Sequence, residues 1–156
     1  NATELLSPWV REVIAVDRSP EMLEAARSRL LEHGGSVDRV RFVEAELTAL
    51  PIPDASVDAA ACVLVLHHVD DPVAALREAR RVLRKDSGGG MLLVVDMCGH
   101  DRIEYRHAMG HVHLGFSDSQ REDLFREAGF SSVRTHKLRP GVEASGPSLF
   151  AAVAHL

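Results

Sequence analysis

Three groups of side chains in this sequence could do chemistry. Asp17 closes the apolar run Val13-Ile14-Ala15-Val16. A carboxylate in such a place can accept two hydrogen bonds from a ribose diol, as acidic residues do in nucleoside-binding sheets; the alternative reading is a cap on the following helix. His67 and His68 follow the apolar segment 59–66. An imidazole there could abstract a substrate proton at neutral pH, and the alternative is a role in packing or shape. Further on, His100, His107, His111 and His113 share a stretch with Asp101, Glu104 and Tyr105. His107 and His111 stand four residues apart, the spacing that can grip a metal on a helix. Gly110 interrupts that helix, and no carboxylate or cysteine completes a tetrahedral set by a recognised spacing, so no metal is expected. Cys62 and Cys98 each stand alone in an apolar run, which suits buried thiols in a reducing compartment better than a disulfide or a zinc pair.

These residues need elements to position them. Residues 13–16 are β-branched-rich and read as a strand; Ser19-Pro20-Glu21 reads as an N-cap with proline in the first helical turn. That helix carries Met22, Leu23, Ala26 and Leu30 on one face and ends at Gly34-Gly35. Strand character returns at 40–43. The almost wholly apolar segment 59–66 is expected to be a parallel strand buried on both faces, central in the sheet. Asp71-Pro72 opens a helix with Val73, Leu76, Ala79, Val82 and Leu83 inward, broken by Ser87-Gly88-Gly89-Gly90 before a strand at 91–95. Ser117 caps a last helix running to Gly129, and two strands, 131–137 and 148–155, close the chain. Alternating strands and helices predict a doubly wound α/β sheet with an antiparallel C-terminal edge. In such a sheet ligands bind beyond the carboxyl ends of the strands.

In order and spacing, Val13-Ile14-Ala15-Val16-Asp17-Arg18-Ser19-Pro20-Glu21-Met22-Leu23, then Ala45-Glu46-Leu47, Leu50-Pro51, Asp58, Leu64-Val65-Leu66-His67-His68-Val69 and Arg81-Val82-Leu83 resemble the type 11 class I S-adenosylmethionine-dependent methyltransferases. The resemblance covers roughly residues 3–98. It implies a Rossmann-like methyltransferase sheet and S-adenosylmethionine as cofactor. It implies that Asp17 holds the ribose hydroxyls, that Arg18 and Met22 border the adenine, that Glu46 meets its amino group and that the Leu47 amide meets a ring nitrogen. It implies, too, that Cys62 and Val63 fall where, in that family, a backbone carbonyl meets the cofactor's amino group. Two bland alternatives stand beside these: Glu46 as a solvated loop acid, Met22 as a core residue. The stretch His111-Val112-His113-Leu114-Gly115-Phe116-Ser117 more loosely resembles methyltransferase domains fused to winged-helix repressors of the arsenical-repressor type. It makes residues 100–116 a substrate-side cover, expected to be irregular.

That family opens with a strand, an acidic residue and a GxGxG loop, and no GxGxG occurs in these 156 residues. Thr3-Glu4-Leu5-Leu6-Ser7-Pro8 is similar to the end of the family's first helix, so 1–156 reads as a partial domain, truncated before that helix. The strand so lacking is central in the family, which predicts unpaired edges on its two neighbours and a homodimer formed through them. A net charge of −5 with interspersed signs argues against nucleic-acid contact. No run reaches the roughly 18–20 apolar residues of a membrane span, and a cytoplasmic protein is expected. The function expected is methyl transfer to a small molecule, impaired in this chain. The competing expectation is a non-catalytic ligand-sensing or dimerisation module derived from such an enzyme.

Overall fold

The computed structural model describes residues 2–85, 90–141 and 145–156. The chain divides into two compact units, Asn1–Pro51 and Ile52–Leu156.

The first unit runs α1 (Ala2–Leu6), a 3-10 turn (Ser7–Trp9), β1 (Val13–Asp17), α2 (Pro20–Glu32) and β2 (Val40–Glu44). β1 and β2 are parallel, with Val13 opposite Val40 and Asp17 opposite Glu44. The entry to α2 is fixed locally. Ser19 Oγ accepts the Met22 amide at 3.2 Å, and Pro20, which has no N–H to leave unsatisfied, occupies the first turn. The buried face expected of α2 is narrower than its pattern suggests: Leu30 alone is buried, at 1% exposed, and Met22 is 55% exposed.

The second unit contains β3 (Ala59–Val63), a 3-10 turn (Leu66–His68), α3 (Pro72–Val82), β4 (Met91–Met97), α4 (Glu104–Met109), α5 (Asp118–Glu127), β5 (Ser132–Lys137) and β6 (Leu149–His155). Its sheet has the order β3-β4-β6-β5. β3 and β4 are parallel, and β6 lies antiparallel to both β4 and β5, so the antiparallel C-terminal edge is present. Alternation along β4 buries Leu92, Val94 and Asp96, opposite the buried Ala154, Ala152 and Phe150 of β6. Asp71 Oδ1 caps α3 by accepting the Ala74 amide, and that helix buries Pro72, Ala75, Leu76, Ala79 and Val82. Ser117 and Gln120 form a capping box at α5.

Two expectations need correction here. The strand expected over 59–66 stops at Val63, because Leu64 takes a left-handed conformation, φ 54°, and turns the chain into the Leu66–His68 turn. Nor is β3 central or doubly buried: among the described residues it pairs with β4 alone, and Ala59, Ala61 and Val63 are exposed. The helix stop expected at 87–90 lies, apart from Gly90, outside the described residues; α3 ends earlier, at Val82.

Candidate active site

In the first unit the sequence-predicted residues collect at the carboxyl end of the β1–β2 pair. Asp17 Oδ1 accepts the Ser19 amide at 2.9 Å, which shapes the turn into α2. Capping of the helix falls to Ser19, and Asp17 Oδ2 has no hydrogen-bond partner among the described residues. The Asp17 carbonyl accepts the Ala45 amide at 3.0 Å, which brings Glu46 and Leu47 to the strand end that bears Asp17. Arg18, Met22 and Glu46 are exposed, and Leu47 is half-buried. Met22 is therefore not a core residue, and Glu46 is a loop acid open to solvent. A carboxylate with a free oxygen, an exposed thioether and an exposed acid fit the diol, ring face and amino group of an adenosine.

In the second unit, Cys62 and Val63 close β3, and the Leu64 amide makes a last bond to the Val95 carbonyl at 2.8 Å. Cys62 is a half-buried residue. Burial around its sulfur, with the Asp96 charge behind it, pushes the thiol up to about 12, so it offers no thiolate at neutral pH.

Just beyond, three histidines meet. His67 is 2% exposed, and its Nδ1 donates to Oδ1 of Asp96 at 2.6 Å. Asp96, at 0% exposed, also accepts the Leu66 amide at 2.9 Å and its neighbour Met97's amide at 2.7 Å. One carboxylate thus satisfies the end of β4, the 3-10 turn and the ring of His67. The bond places the proton of a neutral His67 on Nδ1 and leaves the Nε2 lone pair. His68 Nδ1 donates to the Gly110 carbonyl at 3.1 Å, leaving its Nε2 likewise. His111 packs against both, its ring centroid 4.3 Å from that of His67 and 5.0 Å from that of His68.

The pair suggested by spacing does not form. Gly110, at φ 68°, ends α4 after Met109, so His107 stays exposed on the helix while His111 lies beyond it. The Val112 and His113 amides both bond the His67 carbonyl at 3.0 Å, which draws His111 onto the 3-10 turn. Residues 100–116 are also less irregular than expected. They contain α4 and return to their origin through Gly99 N–Phe116 O and His100 N–Leu114 O bonds of 3.1 and 3.0 Å. Gly115 allows that return: its φ is 70°, and a Cβ there would lie 2.3 Å from the Cys98 carbonyl oxygen. An open groove of about 740 Å³ runs along this segment past His100, Arg106, His113 and Gln120.

His111 Nδ1 in the cluster and Nε2 of the neighbouring His100 are buried nitrogens without a partner. Leaving such a group unsatisfied costs about 1–3 kcal/mol. Burial, then the neighbouring imidazoles, hold His111 below the ordinary histidine value, and burial with the nearby Arg102 charge does the same for His100. Asp96, His100 and Tyr105 are site residues that the sequence reading missed or left unassigned. For Asp96 the signal was present, since like Asp17 it is an acid at the end of an apolar strand.

A family model described as a methyltransferase domain matches residues 1–93. The chain belongs to that family. This chain is 43% identical over 90 residues to the uncharacterized methyltransferase YcgJ of Bacillus subtilis strain 168, covering 58% of this chain and 34% of YcgJ. It is 42% identical over 85 residues to the ubiquinone/menaquinone biosynthesis C-methyltransferase UbiE of Hahella chejuensis, covering 54% of this chain and 32% of UbiE. The chain thus spans about a third of the length of these curated relatives. The crystal structure of YcgJ superimposes with a TM-score of 0.76 at 23% identity, covering 96% of this chain and 84% of that one. An S-adenosylmethionine dependent methyltransferase from Mesorhizobium loti gives 0.73 at 19%, covering 94% and 81%. At such identities the structural likeness shows the fold, a mixed α/β methyltransferase sheet. Within the chain, Asp17 through His68 lie inside the family match, whereas Asp96, His100 and His111 lie beyond it. Asp17, Met22 and Glu46 thus fall within the family match, and the histidine cluster draws on residues inside and beyond it.

Proposed function

We propose that this chain carries the adenosine-binding and acceptor-facing residues of an S-adenosylmethionine-dependent methyltransferase acting on a small molecule. The observation that carries the reading is the free oxygen of Asp17 at the end of β1, with exposed Met22 and Glu46 beside the same strand end. Asp17 would hold the ribose hydroxyls, Met22 and Arg18 the adenine edges, and Glu46 with the Leu47 amide the ring's polar atoms; the Cys62 and Val63 backbone would serve the amino group. When bound, the cofactor supplies an electrophilic methyl on a sulfonium. The chain's own task is to orient an acceptor and accept its proton, with His67 Nε2, its tautomer fixed by Asp96, as the base. Acceptors of the kind met in ubiquinone or menaquinone biosynthesis, which the UbiE relative's name gives for that protein, would suit a histidine base.

The groups named address chiefly the adenosine end of the cofactor, so the 156-residue chain by itself is expected to bind weakly. Both β1 and β3 pair on one side only among the described residues, and we propose that copies of the chain associate through those edges. Titration of the chain with S-adenosylhomocysteine, followed by amide resonances, tests the cofactor reading. Shifts should concentrate at Asp17, Met22 and Glu46, and Asp17→Ala should weaken binding by about 1–3 kcal/mol, the scale of hydrogen bonds to a charged group. Unchanged affinity in that variant would remove Asp17 from the site.

A further inference from the structure

We propose that His67, His68 and His111 form a binding site for one divalent transition-metal ion of the zinc class, with Asp96 holding His67 from behind. The three side chains offer ligand atoms that all lie within 4.8 Å of one another. They come from two separate pieces of chain, the 3-10 turn Leu66–His68 and the residue after Gly110, joined by the amide bonds of Val112 and His113 to the His67 carbonyl. Zinc bonds to imidazole nitrogen are about 2.0–2.1 Å long, so a tetrahedral ion spaces its ligands by roughly 3.4 Å. Modest ring rotation closes the difference.

The hydrogen bonds are those of a ligand set. His67 and His68 commit Nδ1 to a carboxylate and to a backbone carbonyl, at 2.6 and 3.1 Å, which orients each ring and turns its Nε2 lone pair free. Metal-binding histidines are held by such outer partners. His111, 5% exposed, has a buried Nδ1 with no partner, which an ion would satisfy. Stacking of buried rings would account for the ring distances but not for that orphaned nitrogen. Three imidazole nitrogens and no carboxylate among the ligands favour zinc, copper or nickel over magnesium or calcium. Cys62 stays outside the set, since burial keeps it a thiol.

Three protein ligands leave a fourth position open, the arrangement of catalytic rather than structural zinc. On the methyl-transfer reading, the acceptor's hydroxyl or thiol would bind there through its lone pair and lose its proton to solvent, with the ion in place of His67 as the group that favours the anion. Metal binding itself does not depend on that reading.

The test is titration of the chelator-treated 156-residue chain with Co²⁺ and, separately, with Zn²⁺ against a chromophoric chelator. One equivalent should bind, and cobalt should show the intense visible bands of a four-coordinate site. His68→Gln, a half-buried position chosen to preserve folding, should weaken zinc binding at least tenfold, and Asp96→Asn by roughly 10- to 100-fold. His107→Gln, exposed and outside the set, should leave affinity unchanged. Circular dichroism establishes that each variant is folded. Six-coordinate cobalt spectra, or equal losses in folded His68→Gln and His107→Gln, would overturn the proposal by showing adventitious binding to surface histidines; the absence of stoichiometric binding would overturn it outright.

Discussion

Asp96 is a carboxylate at 0% exposed that accepts from two backbone amides and one imidazole, and removing any one of these donors would leave it short. Around it, His111 and His100 are held below the ordinary histidine value of 6.5, first of all by burial. Folding thus keeps both rings neutral, whereas the unfolded chain takes up their protons as pH falls through about 6.5. The unfolded state then binds more protons than the folded one, so the stability due to these residues is complete above that value and is lost as pH falls below it. Thermal melts in chelator-containing buffer should show the midpoint falling between pH 7.5 and 5.5, with a shallower fall in His111→Phe. An equal slope in the two proteins would mean that His111 is not held neutral. His67 and His68 were visible in the sequence as a pair following an apolar run, but the Asp96 partner of His67 was not. His107 and His111 have a helical spacing that Gly110 interrupts in the sequence and ends in the structure, and nothing local shows that His111 joins the pair.

Among the elements, the segment from Gly99 to Ser117 shows how backbone geometry places a side chain. Its two glycines of positive φ make a controlled comparison. A Cβ at Gly110, φ 68°, would meet nothing within 4 Å, whereas one at Gly115, φ 70°, would strike the Cys98 carbonyl. Gly110→Ala should cost about 1 kcal/mol, the intrinsic penalty of the left-handed conformation. Gly115→Ala adds a backbone clash and should cost about 1–3 kcal/mol more. Urea unfolding of both variants measures the difference, and equal midpoints would mean that the return of the segment onto Cys98 is not tight. The starts of α2, α3 and α5 were readable residue by residue, since Ser19, Asp71 and Ser117 each cap the helix their side chain announces, whereas α4, with no side-chain cap, was not. The end of β3 was not, because an apolar run from Ala59 to Leu66 gives no sign that Leu64 will turn out of the strand.

For the molecule as a whole, the strands form a parallel pair, β1-β2, and a four-stranded sheet, β3-β4-β6-β5, each with an edge that carries free backbone donors and acceptors among the described residues. Such edges template pairing with another chain. Light scattering over a range of concentrations should therefore give a mass above the 17.0 kDa of one chain, rising with concentration. A constant 17.0 kDa would show that the edges are protected in solution. Among the described residues no helix is long and apolar enough to cross a membrane.

The sequence by itself determined the order of the strands, the starts of the capped helices α2, α3 and α5, and the place of Asp17 at the end of β1, because caps, prolines and apolar periodicity act over a few residues. It also placed Asp17, Met22 and Glu46, through local order and spacing, near one strand end, where they are proposed to face an adenosine. Only the tertiary structure decided that Asp96 lies behind His67, that His111 rather than His107 joins the histidine pair, and that β3 stands at an edge. Those facts depend on strand register and on two positive-φ residues, Leu64 and Gly110, and they join residues separated by 29 and more positions in the chain. No local pattern encodes a contact at such a distance, because it exists only once the intervening elements have packed.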